Sequence, residues 1–297
     1  MKNLAVGRIM MGNVVFPLYC RTWFKMNDDK RDAGLTVPEN VSVTADLHYG
    51  SDPQQVLDVY KPLPLTPGEA LPVIISIHGG GYVYGDKERY SFYCMDLALR
   101  GFAVINFSYR LAPKHKYPAQ LHDVANCVSW CMKHAEKLGI DPQRVFFVGD
   151  SAGAQMLSQY AAAYSNPSYA ELLGLTFPEM DIRAIALNCG LYHLSSANPA
   201  MKSYLSKEVW EYGEELRVAE HITADFPPTF VMSAYGDGLF EDAFSMNRLL
   251  TKIGIENELH IYGTKEAPPG HVFHLNIRDP EAVRCNDEEC GFFRKHL

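Results

Sequence analysis

A serine between small residues, three consecutive glycines behind a histidine, and a late histidine in a Pro/Gly-rich loop are the parts of this sequence that could act together chemically. In Gly149-Asp150-Ser151-Ala152-Gly153 the serine falls between an apolar run and a helical pattern. A tight strand-to-helix turn of this kind needs small neighbours and projects the hydroxyl above a sheet edge. His78-Gly79-Gly80-Gly81-Tyr82 follows a second apolar run, with Gly85 just beyond. Such a loop can bring backbone N–H groups to a reacting carbonyl, and acyl transfer needs donors fixed where the tetrahedral oxyanion forms. A phosphate loop would carry a Lys-Ser/Thr pair or a spaced G-x-G-x-x-G, and neither is present.

Serine at its ordinary pKa is a poor nucleophile, so a base and a carboxylate that orients it are required. In strand-turn-helix architectures of this type the order is Ser, then Asp or Glu, then His. Of eleven histidines, His260, His271, His274 and His296 follow the last strand candidates. His260 alternates within a strand and His296 belongs to a terminal helix. His271 follows Pro268-Pro269-Gly270 in a loop and is the favoured base; His274 is the alternative. Asp237, in Tyr235-Gly-Asp-Gly-Leu239, is the favoured orienter. Glu241 and Asp242 fall in a first helical turn, where the dipole favours negative charge without catalysis.

These residues need a frame. Short apolar or β-branched runs at 41–44, 56–60, 73–77, 102–107, 145–148, 184–188, 229–233 and 258–262 alternate with helical periodicity, as at Leu121, Val124, Ala125, Val128, Met132 and Ala135. The alternation predicts an α/β fold with a mostly parallel central sheet and helices on both faces. Residues 1–45 and 191–226 break the pattern. They read as an N-terminal cap segment and a cap insertion, around a core of 46–190 and 227–297. Tyr192, Tyr204, Trp210 and Tyr212 in the insertion are candidates for a pocket wall or for cap packing.

Composition excludes other classes. With 47% hydrophobic and 21% charged residues, the 297-residue chain is neither disordered nor of low complexity. A net charge of −8 gives no footprint for nucleic acid. The one basic cluster, Arg110, Lys114, His115 and Lys116, reads as a solvated loop. Seven scattered cysteines suggest reduced thiols in a cytoplasm. Cys127 and Cys131, four apart on a helix, lack a second ligand pair, so core packing is expected and no metal. The apolar stretch Ile9–Cys20 is broken by Gly12, Asn13 and Pro17 and reads as an amphipathic helix rather than a signal peptide. No run approaches the roughly eighteen apolar residues of a membrane span.

Taken jointly, His78-Gly-Gly-Gly-Tyr82, Tyr109-Arg-Leu-Ala-Pro113 with Pro118-Ala119 and Asp123, Gly149-Asp-Ser-Ala-Gly153, Asp237-Gly-Leu239 and His271-Val-Phe273 resemble the α/β-hydrolases of the hormone-sensitive lipase-like group of esterases. The resemblance implies an α/β-hydrolase fold with a helical cap, Ser151 as nucleophile, His271 as base then acid, and Asp237 as orienter. It implies oxyanion donors on Gly80, Gly81 and Ala152, with His78 and Gly79 in support. It further implies a serine carboxylesterase of the acetyl esterase type, acting on short-chain esters through an acyl-enzyme. No cofactor is expected, the partner is a small-molecule ester, and a homodimer is allowed. The family usually has Asp-Pro-Leu where this chain has Asp237-Gly238-Leu239. A non-catalytic ligand-binding scaffold and a peptidase or amidase are the alternatives.

Overall fold

Each buried strand alternates its side chains between two apolar layers, and this alternation builds the molecule. The computed structural model describes residues 17–66, 68–194 and 199–297. Eight strands form one sheet: β1 (Val41–His48), β2 (Val56–Pro62), β3 (Leu71–Ile77), β4 (Ala103–Phe107), β5 (Ile140–Asp150), β6 (Ile182–Asn188), β7 (Thr229–Ala234) and β8 (Asn257–Tyr262). Their order is β1-β2-β4-β3-β5-β6-β7-β8. The β1–β2 and β2–β4 pairs are antiparallel, and every later pair is parallel.

Val73, Ile75 and Ile77 of β3, with Val145 and Phe147 of β5, enter one core, whereas Ile74, Phe146 and Val148 enter the other. The first is covered by α3 (Ala119–Lys133) and α4 (Ala152–Ser165), and the second by α2 (Lys87–Ala98) and α10 (Pro280–Lys295). Strands buried on both faces read as continuous apolar runs, which is why the sequence marks them. The remaining helices used below are α1 (Lys25–Asp32), α5 (Pro167–Leu173), α6 (Pro199–Tyr204), α7 (Lys207–Tyr212), α8 (Val218–His221) and α9 (Phe240–Ile253).

All eight expected strands are present. Strand β5 runs longer than expected, because Leu71 pairs with Ile140 across an irregularity in the ladder. Residues 41–45, expected in the N-terminal cap segment, lie in β1. The helix expected from Ile9 lies outside the described residues up to position 16, and Cys20–Phe24 is helical. All seven cysteines are free and buried, and Cys127 and Cys131 belong to the core.

Arg110 and Lys116 depart from the solvated-loop expectation, whereas Lys114 is exposed. Arg110 forms an ion pair with the fully buried Asp123 (Nη2–Oδ1 2.7 Å). Lys116 Nζ donates to the carbonyls of Ser203 and Leu205 at 3.0 and 2.9 Å, at the C-terminal end of α6. A cation at that end meets unpaired helix carbonyls. Lys116 therefore joins the insertion to the core.

Candidate active site

The turn at the C-terminal end of β5 is forced by close packing. Helix α4 begins so near β3 that a Cβ on Gly153 would collide with the Ile77 carbonyl oxygen. Ser151, between β5 and α4, takes φ 55° and ψ −116°. Its N–H donates to the Asn188 carbonyl at the end of β6 (2.9 Å). Of the five non-glycine residues with positive φ among the described residues, Tyr82, Ser151, Cys189 and Val272 stand in the loops around this turn. Such strain persists only where the surroundings over-determine the backbone.

Asp237 follows β7 and His271 follows β8. The imidazole Nδ1 and the Asp237 carboxylate lie 2.8 Å apart (Nδ1–Oδ1). Asp237 also accepts from Ser233 Oγ (3.0 Å) and from the Leu239 N–H (2.8 Å). The Leu239 N–H holds the Gly238 turn. Burial pushes the Asp237 carboxyl upward, but the hydrogen bond and charge of His271, with the Leu239 N–H and Cys189 thiol, leave it below the usual aspartate value. Its side chain is sealed at 0% exposure, while that of His271 is 39% exposed toward the cavity. An ionised carboxylate beneath an accessible imidazole fixes the ring's tautomer and leaves Nε2 for chemistry.

The loop after β3 supplies the facing wall. His78 is fully buried, with Nδ1 2.8 Å from the Gly79 carbonyl and its ring stacked 4.0 Å from Tyr109. Tyr109 Oη donates to the His78 carbonyl (2.9 Å). Burial depresses the His78 pKa to about 4, so it is neutral near pH 7. Gly80, Gly81 and Ala152 share with Ser151 and His271 a cavity of about 560 Å³. Phe24, Asn27, Asp28 and Arg31 from the α1 region, Leu191 and Ala200 from the insertion, and Leu239 and Phe273 also line it. The structure thus brings the expected nucleophile, base and oxyanion glycines onto one cavity, with the orienter behind the base.

The alternatives separate clearly. His274 is fully buried, its ring nitrogens lack hydrogen-bond partners, and burial lowers its pKa to about 3. His260 lies between Glu258 and Glu288 in β8, and His296 follows α10. Glu241 and Asp242 open α9, where Asp242 pairs with His193. Among the expected cap aromatics, Tyr204 is stacked on Tyr82 at 3.6 Å as cap packing. Tyr192 lines a second cavity of about 300 Å³ beside α9.

Arg31, Tyr84, Cys189, Tyr90 and Asp150 escaped sequence reasoning. Arg31 reaches Asp32 and Asp28 at 2.7 and 3.0 Å on the cavity wall, and Tyr84 Oη donates to Asp28 (2.6 Å). Cys189 places its thiol with Asp237 and His271 so that the three donor atoms lie within 4.8 Å of one another, the only such grouping of potential metal ligands among the described residues. Tyr90 donates to Asp150 Oδ2 at 2.6 Å and accepts from the Gly79 N–H at 2.9 Å. Asp150 is fully buried, and burial, only partly offset by the Tyr90 hydrogen bond, raises it to about 7. The first four have no motif signature. Only its position as the second residue of G-x-S-x-G could have pointed to Asp150.

Residues 74–275 match the family model described as the alpha/beta hydrolase fold. This chain belongs to the alpha/beta hydrolase fold family. It is a carboxylic ester hydrolase, in line with relatives named as esterase and carboxylesterase. It is 31% identical over 216 residues to "Esterase LipI" of Mycobacterium tuberculosis, covering 68% of this chain and 67% of that protein. It is 35% identical over 127 residues to "Ethyl acetate hydrolase" of Pseudomonas putida, but that match spans only 41% of this chain and 40% of that protein. Among solved structures, esterase B of Lactobacillus rhamnosis superposes with a TM-score of 0.85 at 24% identity, over 95% of each chain. That likeness carries the fold.

Proposed function

We propose that this chain is a serine carboxylesterase that hydrolyses short-chain acyl esters through an acyl-enzyme, in the manner of the hormone-sensitive lipase-like group. The observation that carries the reading is the 2.8 Å Asp237–His271 contact set on the same cavity as Ser151 in its strained turn.

In the proposed sequence, Ser151 Oγ attacks the ester carbonyl carbon as its proton passes to His271 Nε2. The oxyanion faces the N–H groups of Gly80, Gly81 and Ala152, while Asp237 remains ionised and stabilises the imidazolium. The carbonyl carbon–alkoxy oxygen bond then breaks, and His271 protonates the departing alcohol. Water repeats the cycle: His271 removes its proton, the hydroxyl adds to the acyl carbon, and the acid leaves as Ser151 regains its proton.

A cavity of about 560 Å³ suits a small ester. A short acyl group also agrees with the name of the Pseudomonas putida relative. Among the described residues, we assign 17–40 and those of the insertion 191–226 to a cap over the core of 46–190 and 227–297. Wall residues from both segments support this. The seven free thiols support a cytoplasmic location. No helix among the described residues is long and apolar enough to cross a membrane.

The test is Ser151→Ala with a chain-length series of p-nitrophenyl esters. Wild-type turnover should be highest on acetate or butyrate, and the variant should lose it with an unchanged melting curve. Retained turnover in the variant would refute the assignment. A wild-type protein that binds a fluorophosphonate without covalent labelling would point to a ligand-binding scaffold, and faster amide than ester cleavage to a peptidase.

A further inference from the structure

The nucleophile turn and the oxyanion loop leave neighbouring strands, β5 and β3, and must hold a fixed separation if attack and oxyanion binding are to coincide. We propose that Tyr90 is a positioning residue that ties these two loops together, with Asp150 as its anchor on the nucleophile side. The proposal rests on the esterase reading above.

A single phenolic oxygen makes both halves of the tie. Tyr90 Oη accepts the Gly79 N–H at 2.9 Å and donates to Asp150 Oδ2 at 2.6 Å. Gly79 immediately precedes the Gly80 donor, and Asp150 immediately precedes Ser151. The loops are in contact at this point. A Cβ on Gly79 would stand 2.8 Å from Asp150 Oδ2 and 3.2 Å from Ser151 Cβ, so any shift of Gly79 changes the gap at the reacting centre.

One other tie crosses between the two sides, Tyr82 Oη donating to Gln155 Oε1 of α4 at 2.9 Å, but it joins residues farther along the chain from Gly80 and Ser151 than Gly79 and Asp150 are. The rest do not cross that gap. Tyr109 holds the His78 carbonyl, and the Gly80 carbonyl accepts from Val83 and Tyr84 within its own turn. Tyr90 itself is held from outside. The Asp86 side chain caps α2 by accepting the Arg89 N–H at 3.0 Å, and buried Lys87 forms ion pairs with Asp46, Asp58 and Glu88 at 2.9 to 3.0 Å. The phenol therefore projects from a fixed helix end into the seam. Either protonation state of Asp150 retains a carboxyl oxygen to accept from it, so Asn at 150 can preserve the tie whereas Ala cannot.

Tyr90→Phe removes the shared oxygen and leaves the ring. The expected result is a fall in kcat for p-nitrophenyl acetate of about tenfold to a hundredfold, below or at the cost of deleting an oxyanion donor outright, with KM changed less than about twofold. Affinity for a trifluoromethyl ketone, whose Ser151 adduct places an oxyanion in the same cradle, should fall by the same factor. Asp150→Ala should match that loss, Asp150→Asn should recover most of it, and Tyr90→Phe with Asp150→Ala should be no worse than either single change. Melting curves establish that each variant folds. If Tyr90→Phe fails to fold, the Asp150→Ala and Asp150→Asn pair decides the matter. Full kcat in Tyr90→Phe, a loss confined to KM, or unchanged ketone affinity would overturn the proposal. Fluorophosphonate labelling of wild-type Ser151 separates these outcomes from failure of the esterase reading, because only the latter abolishes labelling.

Discussion

At the scale of single residues, the site divides its two decisive carboxyl groups by environment. Asp237 is held below the usual range: burial opposes ionisation, but His271 and the Leu239 N–H outweigh it. Asp150 lies at about 7, because burial dominates there. Only the first is set up to orient an imidazole as a carboxylate. Asp237→Asn keeps the shape but reverses the hydrogen-bond requirement at Nδ1. In steady-state assays it should lower kcat by about 10³- to 10⁴-fold with little change in KM, by analogy with the triad aspartate of serine proteases. Ser151, Asp237 and His271 were legible as candidates because each stands in a turn just past a strand end, where local sequence marks the turn. Tyr90 and Arg31 were not legible. Their neighbours come from other parts of the chain, and an isolated Tyr or Arg in a helical pattern carries no sign of what it will meet.

At the scale of elements, small residues at crossings decide whether the strands can present these side chains. Gly153→Ala would press a methyl group into the Ile77 carbonyl, so α4 must shift away from β3. Differential scanning calorimetry should show destabilisation of about 1–3 kcal/mol, the usual range for forced overpacking. The segment from Tyr109 to Asp123 is held differently. Asp123 accepts from the Arg110 guanidinium, the Arg110 N–H and Gln55 Nε2 (2.7 to 3.1 Å) while fully buried. Asp123→Ala leaves these donors without an acceptor. Denaturant unfolding should register a loss on the order of 3 kcal/mol. Element types were legible from the contrast between continuous apolar runs and helical spacing. The extra length of β5 was not, since Pro142 and the polar residues around it enter the strand only through pairing with a neighbour.

At the scale of the whole molecule, buried titratable groups set opposing slopes of stability with pH. Burial raises both Asp150 and Glu289 to about 7, although Asn188 and Tyr93 donate to Glu289. A carboxyl whose folded pKa is raised binds its proton more tightly when folded, so it destabilises the fold increasingly as pH climbs from its unfolded value toward about 7. His78 and His274, depressed to about 4 and about 3 by burial, act in reverse. They favour the fold as pH rises from those values to the unfolded histidine value of roughly 6.5. From about pH 4.5 to 6.5 the two effects oppose each other, flattening the wild-type curve. Glu289→Gln removes one destabilising contribution. Its melting temperature relative to wild type should climb between about pH 4.5 and 7 and level off above that range. A constant offset across the range would contradict the buried, raised carboxyl.

Hydrolysis through an acyl-enzyme requires that the acyl group spend part of each turnover on Ser151. Rapid acid quench of the wild-type protein during hydrolysis of p-nitrophenyl acetate, followed by peptide mass spectrometry, examines this directly. An acetyl group should be found on the peptide containing Ser151 in wild type, should accumulate in His271→Gln only at a greatly reduced rate, and should be absent from Ser151→Ala. Acetylation at a different residue during turnover, or an adduct that persists in Ser151→Ala together with full activity, would contradict it.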